Sequence, residues 1–299
     1  MKRVVLIGSV VIDTIKTFHG ERIVSPGGIT YSLVGLAKLL PDYEILPVFH
    51  IGEADVKYFE DLVRTFPNIS LEGMRVVKES NRNFLKYTTP EKRMEFFEQN
   101  TPGIEFEDVY PFLKARAVYI NYIKNDDFSL QNLRSLSSYF RSGPIYIDIH
   151  SLVRKVDEDG RFRPYFFSGW QSLVQYADYL QMNLEELKFF TGFEVKGVRR
   201  LKMIIAMILI NGPQGVSITL GSKGVLSGVK KGQAVQIEKF PPGGVSTKDP
   251  TGCGDIFGAA LLSRILAGDD YLKAAEYAVK TASIKAGLTL EEFISHPVN

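Results

Sequence analysis

A chain of 299 residues with 45% hydrophobic content is long enough to bury one large core or two modest ones. Its 36 basic and 34 acidic residues leave a net charge of +2, which supplies no field for nucleic acid or an anionic membrane, so a small anionic ligand has to be held by local groups. The single cysteine excludes an internal disulfide and a cysteine-based zinc site, and suits a reducing cytoplasm.

The chain opens on "MKRVVLIGSVVID", two basic residues and an apolar run that imitate a signal peptide. No small-residue cleavage site follows and the run reaches Asp13, so a buried first strand is predicted. "TIKTFHGERIVSPGG" then alternates polar and apolar residues without a helical period, which predicts exposed antiparallel strands. A helix over "TYSLVGLAKLL", a strand over "YEILPVFHIG" and a helix over "VKYFEDLVRTF" come next. "MRVVKESNRNFLKYTTPEKRMEFFEQN" repeats the exposed strand pattern. Strands over "AVYINYI", "PIYIDIH", "YADYLQMN" and "GVSITLG" are then interleaved with helices over "LQNLRSLSSYF" and "LEELKFFTG", while "LKMIIAMILI" is too short to span a bilayer. A last buried helix begins near Asp255 with "IFGAALLSRILAG" and ends at Gly268.

Strands alternating with amphipathic helices imply βαβ units and a mostly parallel sheet covered on both faces. Ligands bind beyond the carboxyl ends of such strands, which draws attention to Asp13, Asn121, Asp148, Asn183 and Gly221. Residues 1–299 read as one α/β unit without repeats, and two segments, about 14–26 and 74–100, form either a small lid sheet or ordinary edge hairpins. A soluble cytoplasmic protein is expected.

"DPTGCGD", Asp249 to Asp255, carries the most chemistry. Pro250 restrains its neighbour and the two glycines permit a sharp turn directly before a helix, so unpaired N–H groups and the positive end of the helix dipole face outward. The natural occupant is an anion, most often phosphate. The alternative is a plain turn with Asp255 as a helix cap. "QMNLEELKFFTG" pairs Asn183 with Glu186 as a capping box, or as two groups facing a hydrated Mg²⁺, and the two roles are compatible. "TLGSKGV" is a bare hairpin or a loop that lets a nucleotide approach the backbone; "SPGGITYSLVGLAKLL" is a ligand-facing turn or a helix entry. His150 in "DIHSL" reads as a structural histidine. Neither a P-loop nor a paired-histidine metal motif occurs, and "GCGDIFG" lies too far from the first strand for a dinucleotide fingerprint, which disfavours a nicotinamide-dependent oxidoreductase.

Taken together, the chain resembles the PfkB or ribokinase family of small-molecule kinases. "DPTGCGD" matches the family's carboxyl-terminal signature, "PGGITYSLVGLAKLL" more loosely its amino-terminal one, and "GSVVID", "NLEE" and "TLGSKGV" fall in the family's order. The resemblance implies a three-layer α/β/α sandwich with a β-strand lid, and ATP-dependent transfer of the γ-phosphoryl group to a hydroxyl of a sugar or related polyol. It implies that Asp255 is the base and that the backbone N–H groups of Gly252, Cys253 and Gly254 form the anion hole. Thr219, Gly221, Gly224, Ala282 and Ser283 would border the nucleotide; Asp13, Gly27 and Gly28 would face the acceptor; Asn183 and Glu186 would organise Mg²⁺ largely through water. In some members the positions of Asp249, Thr251 and the loop near Ala286 hold a monovalent cation such as K⁺, and lid strands form a homodimer.

Departures concern the acceptor. Ser32 stands where the family's signature usually has an asparagine, removing a long polar arm that Tyr31 either replaces or does not; "DIHSLVR" stands where sugar kinases commonly carry Asp-Pro-Asn and looks closer to the inositol-kinase-like branch. A nucleoside or myo-inositol kinase, or a sensor that keeps the fold without chemistry, are the alternatives. Cys253 replaces the usual alanine and is either a small filler or, at a helix amino terminus, a stabilised thiolate whose alkylation blocks turnover and against which ATP protects.

Overall fold

The computed structural model describes residues 2–16, 19–87 and 93–297. Its first half runs β1 (Arg3–Ile7), β2 (Val10–Lys16), β3 (Arg22–Gly28), α1 (Thr30–Leu39), β4 (Glu44–Gly52), α2 (Val56–Val63), β5 (Met74–Val77), β6 (Asn81–Tyr87), β7 (Arg93–Glu98), α3 (Phe106–Val109), β8 (Ala117–Asn121) and α4 (Leu130–Tyr139). The second half continues with β9 (Ile145–Asp148), β10 (Arg154–Val156), β11 (Phe162–Pro164), α5 (Trp170–Tyr176), β12 (Tyr179–Asn183), α6 (Leu184–Thr191), α7 (Gly197–Asn211), β13 (Gly215–Thr219), β14 (Val225–Lys231), β15 (Ala234–Phe240), α8 (Cys253–Leu266), α9 (Tyr271–Ala286) and α10 (Leu290–Ser295).

A nine-stranded sheet in the order β15-β14-β13-β12-β9-β8-β1-β4-β5 forms the middle layer. It is parallel from β5 to β13, with β14 and β15 added antiparallel at one edge. Successive strand residues point to opposite faces, and β1 shows the consequence: Val5 and Ile7 enter one core with residues of α4, α5, α6 and α7, Val4 and Leu6 another with residues of α1, α2, α8 and α9. Both faces of the sheet are therefore buried, which is why its strands read as continuous apolar runs. In α8 every residue from Ile256 to Ser263 is buried, which explains a sequence with no polar face.

The amino-terminal run is not one strand. Gly8, at φ +154°, breaks it where a Cβ would lie 2.3 Å from the Asn121 carbonyl oxygen, and the chain leaves the large sheet. Asp13 consequently lies inside β2, in a separate four-stranded sheet ordered β3-β2-β6-β7, and not at the end of a buried strand. This second sheet is mixed: β2 pairs antiparallel with β3 but parallel with β6, against the all-antiparallel expectation. Its strands also differ from the expected bounds. Met74–Val77 pairs with β4 and extends the large sheet, while Val10–Asp13 and Gly27–Gly28 belong to the small one. Of the expected lid segments, residues 17–18 and 88–92 lie outside the described residues.

Candidate active site

The turn before α8 forms as its residue types dictate. The Thr251 N–H donates to Asp249 Oδ1 at 2.9 Å, and Gly252 takes φ +74° and accepts from the Ile256 N–H at 2.9 Å as the helix starts. A side chain at 252 would be excluded twice, by that left-handed conformation and by Tyr31, whose ring would lie 2.1 Å from a Cβ. Gly252 and Gly254 occupy positions whose N–H groups have no intrahelical acceptor. The third expected donor is engaged otherwise, since the Cys253 N–H makes a 3.3 Å bond to the Pro250 carbonyl. Gln181, on β12, fastens the turn from below: its amide donates to the Gly254 carbonyl at 2.9 Å and to Asp148 Oδ2 at 2.8 Å, and its oxygen accepts from the Tyr146 hydroxyl at 2.6 Å.

Asp255 follows on the first turn of α8. Ser32 Oγ, from α1, and Asn121 Nδ2, from the end of β8, donate to its Oδ1 at 2.9 and 2.7 Å, and Asn121 also donates to Ser32 at 2.9 Å. Both side-chain donors converge on one oxygen. Burial raises the Asp255 pKa above the ordinary carboxylate value, although the charge of His150 and the two hydrogen bonds pull it down. Ser32 and Asn121 thus orient the Asp255 carboxyl.

On one side of the turn lies a cavity of about 460 Å³, bordered by Thr219, Gly221, Gly224, Gly254, Ala282 and Ser283, with Phe257 and Val279 among its apolar walls. All five residues expected to border a nucleotide therefore meet at one place. "TLGSKGV" is both a hairpin, β13 pairing with β14, and part of this wall.

On the other side is the small sheet. Asp13 pairs in register with Ser25 and Asn83, accepts from Asn83 Nδ2 at 3.1 Å, and lies over Gly27, where a Cβ would come 2.1 Å from its Oδ2. Tyr31 joins the two sides. Burial pushes its hydroxyl pKa up, and the charges of Asp249, Asp13 and Asp255 push it further.

Asn183 and Glu186 form the complete capping box at the start of α6: Asn183 Oδ1 accepts from the Glu186 N–H at 2.8 Å, and Glu186 accepts from the Asn183 N–H at 2.7 Å and from Nδ2 at 2.5 Å. Glu186 is also raised by burial, against the charge of His150, the Asn183 N–H and Arg154. The neighbouring Asp148 is raised well above its usual value by burial and then by the charges of Glu186 and Asp255. Among the described residues no three His, Cys, Asp or Glu side chains converge closely enough to hold a metal directly. Buried acids that repel one another fit a hydrated divalent ion held through water. His150 faces the same acids and is the one non-glycine residue with positive φ among those described, at +33°, a strained backbone of the kind found at functional sites.

Two further expectations concern the same turn. Burial pushes the Cys253 thiol up to about 11; Lys285 opposes this, but Asp249 and Asp255 reinforce it, which favours the small filler over the thiolate. Where K⁺ was expected, the Asp249 and Ala286 oxygens already accept hydrogen bonds. The buried Lys285 ammonium donates to the Asp249 carbonyl at 3.1 Å and to its Oδ2 at 2.8 Å, while the Ala286 carbonyl accepts from the N–H groups of Lys248 and Asp249 at 2.7 and 3.0 Å. Burial alone would raise Asp249, but the bonds from Lys285 and Thr251 outweigh it and hold the carboxyl below its usual range.

A mostly parallel sheet between helical layers, a small second sheet, and an acid at a glycine turn define a ribokinase-like α/β fold, and solved structures agree. Ribokinase from Thermotoga maritima is 21% identical, with a TM-score of 0.74 over 100% of this chain and 96% of that one. A pyrophosphate-dependent kinase in the ribokinase family, complexed with a pyrophosphate analog and myo-inositol, is 19% identical, with a TM-score of 0.77 over 95% and 94%. Arabidopsis thaliana ribokinase complexed with ribose and ATP is 18% identical, with a TM-score of 0.75 over 99% and 95%. A family model described as pfkB family carbohydrate kinase matches residues 76–289, and the chain belongs to that family. No curated protein gave a significant match. No helix among the described residues is long and apolar enough to cross a membrane.

Proposed function

We propose that the protein is an ATP-dependent kinase that transfers the γ-phosphoryl group to a hydroxyl of a sugar or related polyol. The observation that carries this reading is Asp255: a carboxyl with raised pKa, oriented through one oxygen by Ser32 and Asn121, at the helix terminus that separates the donor cavity from the small sheet. Phosphoryl transfer needs positioning and charge stabilisation more than covalent help.

In this mechanism ATP lies in the cavity bordered by Thr219, Gly221, Gly224, Ala282 and Ser283, whose largely apolar walls suit a nucleobase better than pyrophosphate alone. The acceptor lies between Asp13, the Gly27–Gly28 segment and Asp255. Its hydroxyl gives its proton to the Asp255 carboxylate as its oxygen bonds to the γ-phosphorus. The bond from that phosphorus to the bridging oxygen breaks, ADP leaves, and the N–H groups of Gly252 and Gly254 stabilise the charge on the transferring oxygens. Asn183 and Glu186 would hold Mg²⁺ through water, with Asp148 adjacent; when bound, the ion neutralises charge on the donor phosphates.

Two further features support a polyhydroxylated acceptor. Among the described residues Asn83 Oδ1 and Asn121 Oδ1 are buried without a partner, and a buried unsatisfied acceptor costs about 1–3 kcal/mol, which hydroxyl donors would recover. The small sheet acts as the lid that excludes water from the transfer. Its edge strand β3 exposes Ile23 and Val24, which suits pairing with a second lid in a homodimer.

The test is ADP release from Mg-ATP across ribose, fructose, fructose phosphates, 2-keto-3-deoxygluconate, myo-inositol and nucleosides. One acceptor giving strong release that Asp255→Asn abolishes is the expected result; ATP binding with silence over the panel would favour a sensor.

A further inference from the structure

Lys285 occupies the last turn of α9 and is fully buried, yet the transfer steps make no use of its charge. Burying an ammonium is unfavourable unless it is paired and hydrogen-bonded, and an apolar side chain of similar length would fill the same space. The ammonium donates to two oxygens of one residue, the carbonyl and Oδ2 of Asp249, where the transfer turn begins. It stands 5.9 Å from the centre of the Tyr31 ring, and that ring packs on Gly252. From the same side, the Ala286 carbonyl ties the N–H groups of Lys248 and Asp249 to the end of α9. The entry of the turn is thus fixed by one positive charge and two backbone bonds. A free ion would find the Asp249 and Ala286 oxygens already accepting hydrogen bonds.

We propose that Lys285 is a tethered cation: its ammonium takes the place of a free monovalent ion at Asp249, fixes the turn that presents the Gly252 and Gly254 N–H groups, and makes transfer independent of K⁺. The inference rests on the kinase reading of that turn. Lys285 is a positioning residue, acting through Asp249.

The experiment compares the wild-type protein in choline chloride, NaCl and KCl at equal ionic strength, reading the thermal midpoint without nucleotide, ATP affinity and steady-state turnover. All three are expected to coincide in the three salts. Lys285→Ala removes the charge and opens space at Asp249. In choline its kcat should fall about tenfold or more, with a smaller change in the KM for ATP, because donors aimed at the transition state are displaced. Titrating K⁺ should restore both kcat and the midpoint saturably. Lys285→Met, which fills the space without charge, should lose turnover and not recover it in K⁺. The exposed Lys280→Ala should match the wild type in every salt.

A wild-type midpoint or turnover that rises saturably with K⁺ would overturn the proposal, as would a folded Lys285→Ala protein indifferent to K⁺. If Lys285→Ala does not fold, the wild-type comparison and Lys285→Met decide. If no acceptor supports turnover, the kinase reading fails separately, while the wild-type midpoint in K⁺ against choline still decides whether a free ion binds.

Discussion

Replacing Asp255 by asparagine separates the two things this residue does, because geometry and charge respond differently. The carbonyl oxygen of the substituted amide can still accept from Ser32 and Asn121 at the Oδ1 position, while its nitrogen takes the position from which the carboxylate would accept the acceptor's proton. The donor cavity is untouched, so the KM for ATP should change little. Loss of a positioned general base costs about 10²–10⁴ in rate, which is about 2.7–5.5 kcal/mol of barrier. Stability should move the other way. Burial raises the folded-state pKa of Asp255, so its contribution to stability is intact below the ordinary carboxylate pKa and declines as pH rises through the raised value. The neutral amide escapes that decline, and the variant should be at least as stable as the wild type near neutral pH, with the advantage vanishing in acid. The assays are kcat by coupled ADP release and urea unfolding at neutral and acidic pH. A kcat within tenfold of the wild type, or a variant destabilised at neutral pH, would refute the assignment of Asp255 as a buried, ionised base.

Ser32→Ala removes one hydrogen bond to the ionised Asp255, so the pKa rises further and the acid limb of kcat/KM should move to higher pH; an unmoved limb would show that Ser32 does not orient the base. Gly258→Ala would place a methyl 2.3 Å from the Tyr119 hydroxyl oxygen and 2.9 Å from Gln181 Oε1, and should cost about 1–3 kcal/mol in urea unfolding together with turnover, because Gln181 fastens the turn. Wild-type stability would contradict that packing. Ala282→Phe projects a ring into the donor cavity and should raise the KM for ATP by about tenfold, which is about 1.4 kcal/mol, with a smaller effect on kcat. An unchanged ATP affinity would place the nucleotide elsewhere.

Much of the fold is visible in the sequence because burial on both faces leaves a distinct trace. The runs that became β4, β8, β9, β12 and β13, and the largely apolar α8, carry that trace. The break at Gly8 was hidden, since "RVVLIGSVVID" has apolar runs on both sides of it and only the approach of the Asn121 carbonyl shows why a glycine interrupts it. The parallel pairing of β2 with β6 was hidden as well, because alternation specifies a face and not a direction.

The candidate site divides along the same line. Asp255, the glycine turn and the "TLGSKGV" loop are local signals, whereas Ala282 and Ser283, which line the same cavity, entered only through the family resemblance. Asn121, Gln181 and Lys285 act through partners 134, 73 and 36 residues away, so no short window contains them. Strand-end position did single out Asn121, and position alone drew attention to His150 without disclosing its backbone strain. Ser32 misled as a shortened arm because its partner, Asp255, is 223 residues distant.

Phosphoryl transfer through Asp255 is tested most directly by the identity of the phosphorus products. ³¹P spectra would be followed over time with Mg-ATP and the acceptor that gives most ADP, for the wild type and Asp255→Asn. A sugar or polyol phosphomonoester signal should grow in step with ADP in the wild type and be almost absent in the variant. Inorganic phosphate in step with ADP without a monoester, or a monoester formed equally well by both proteins, would contradict it.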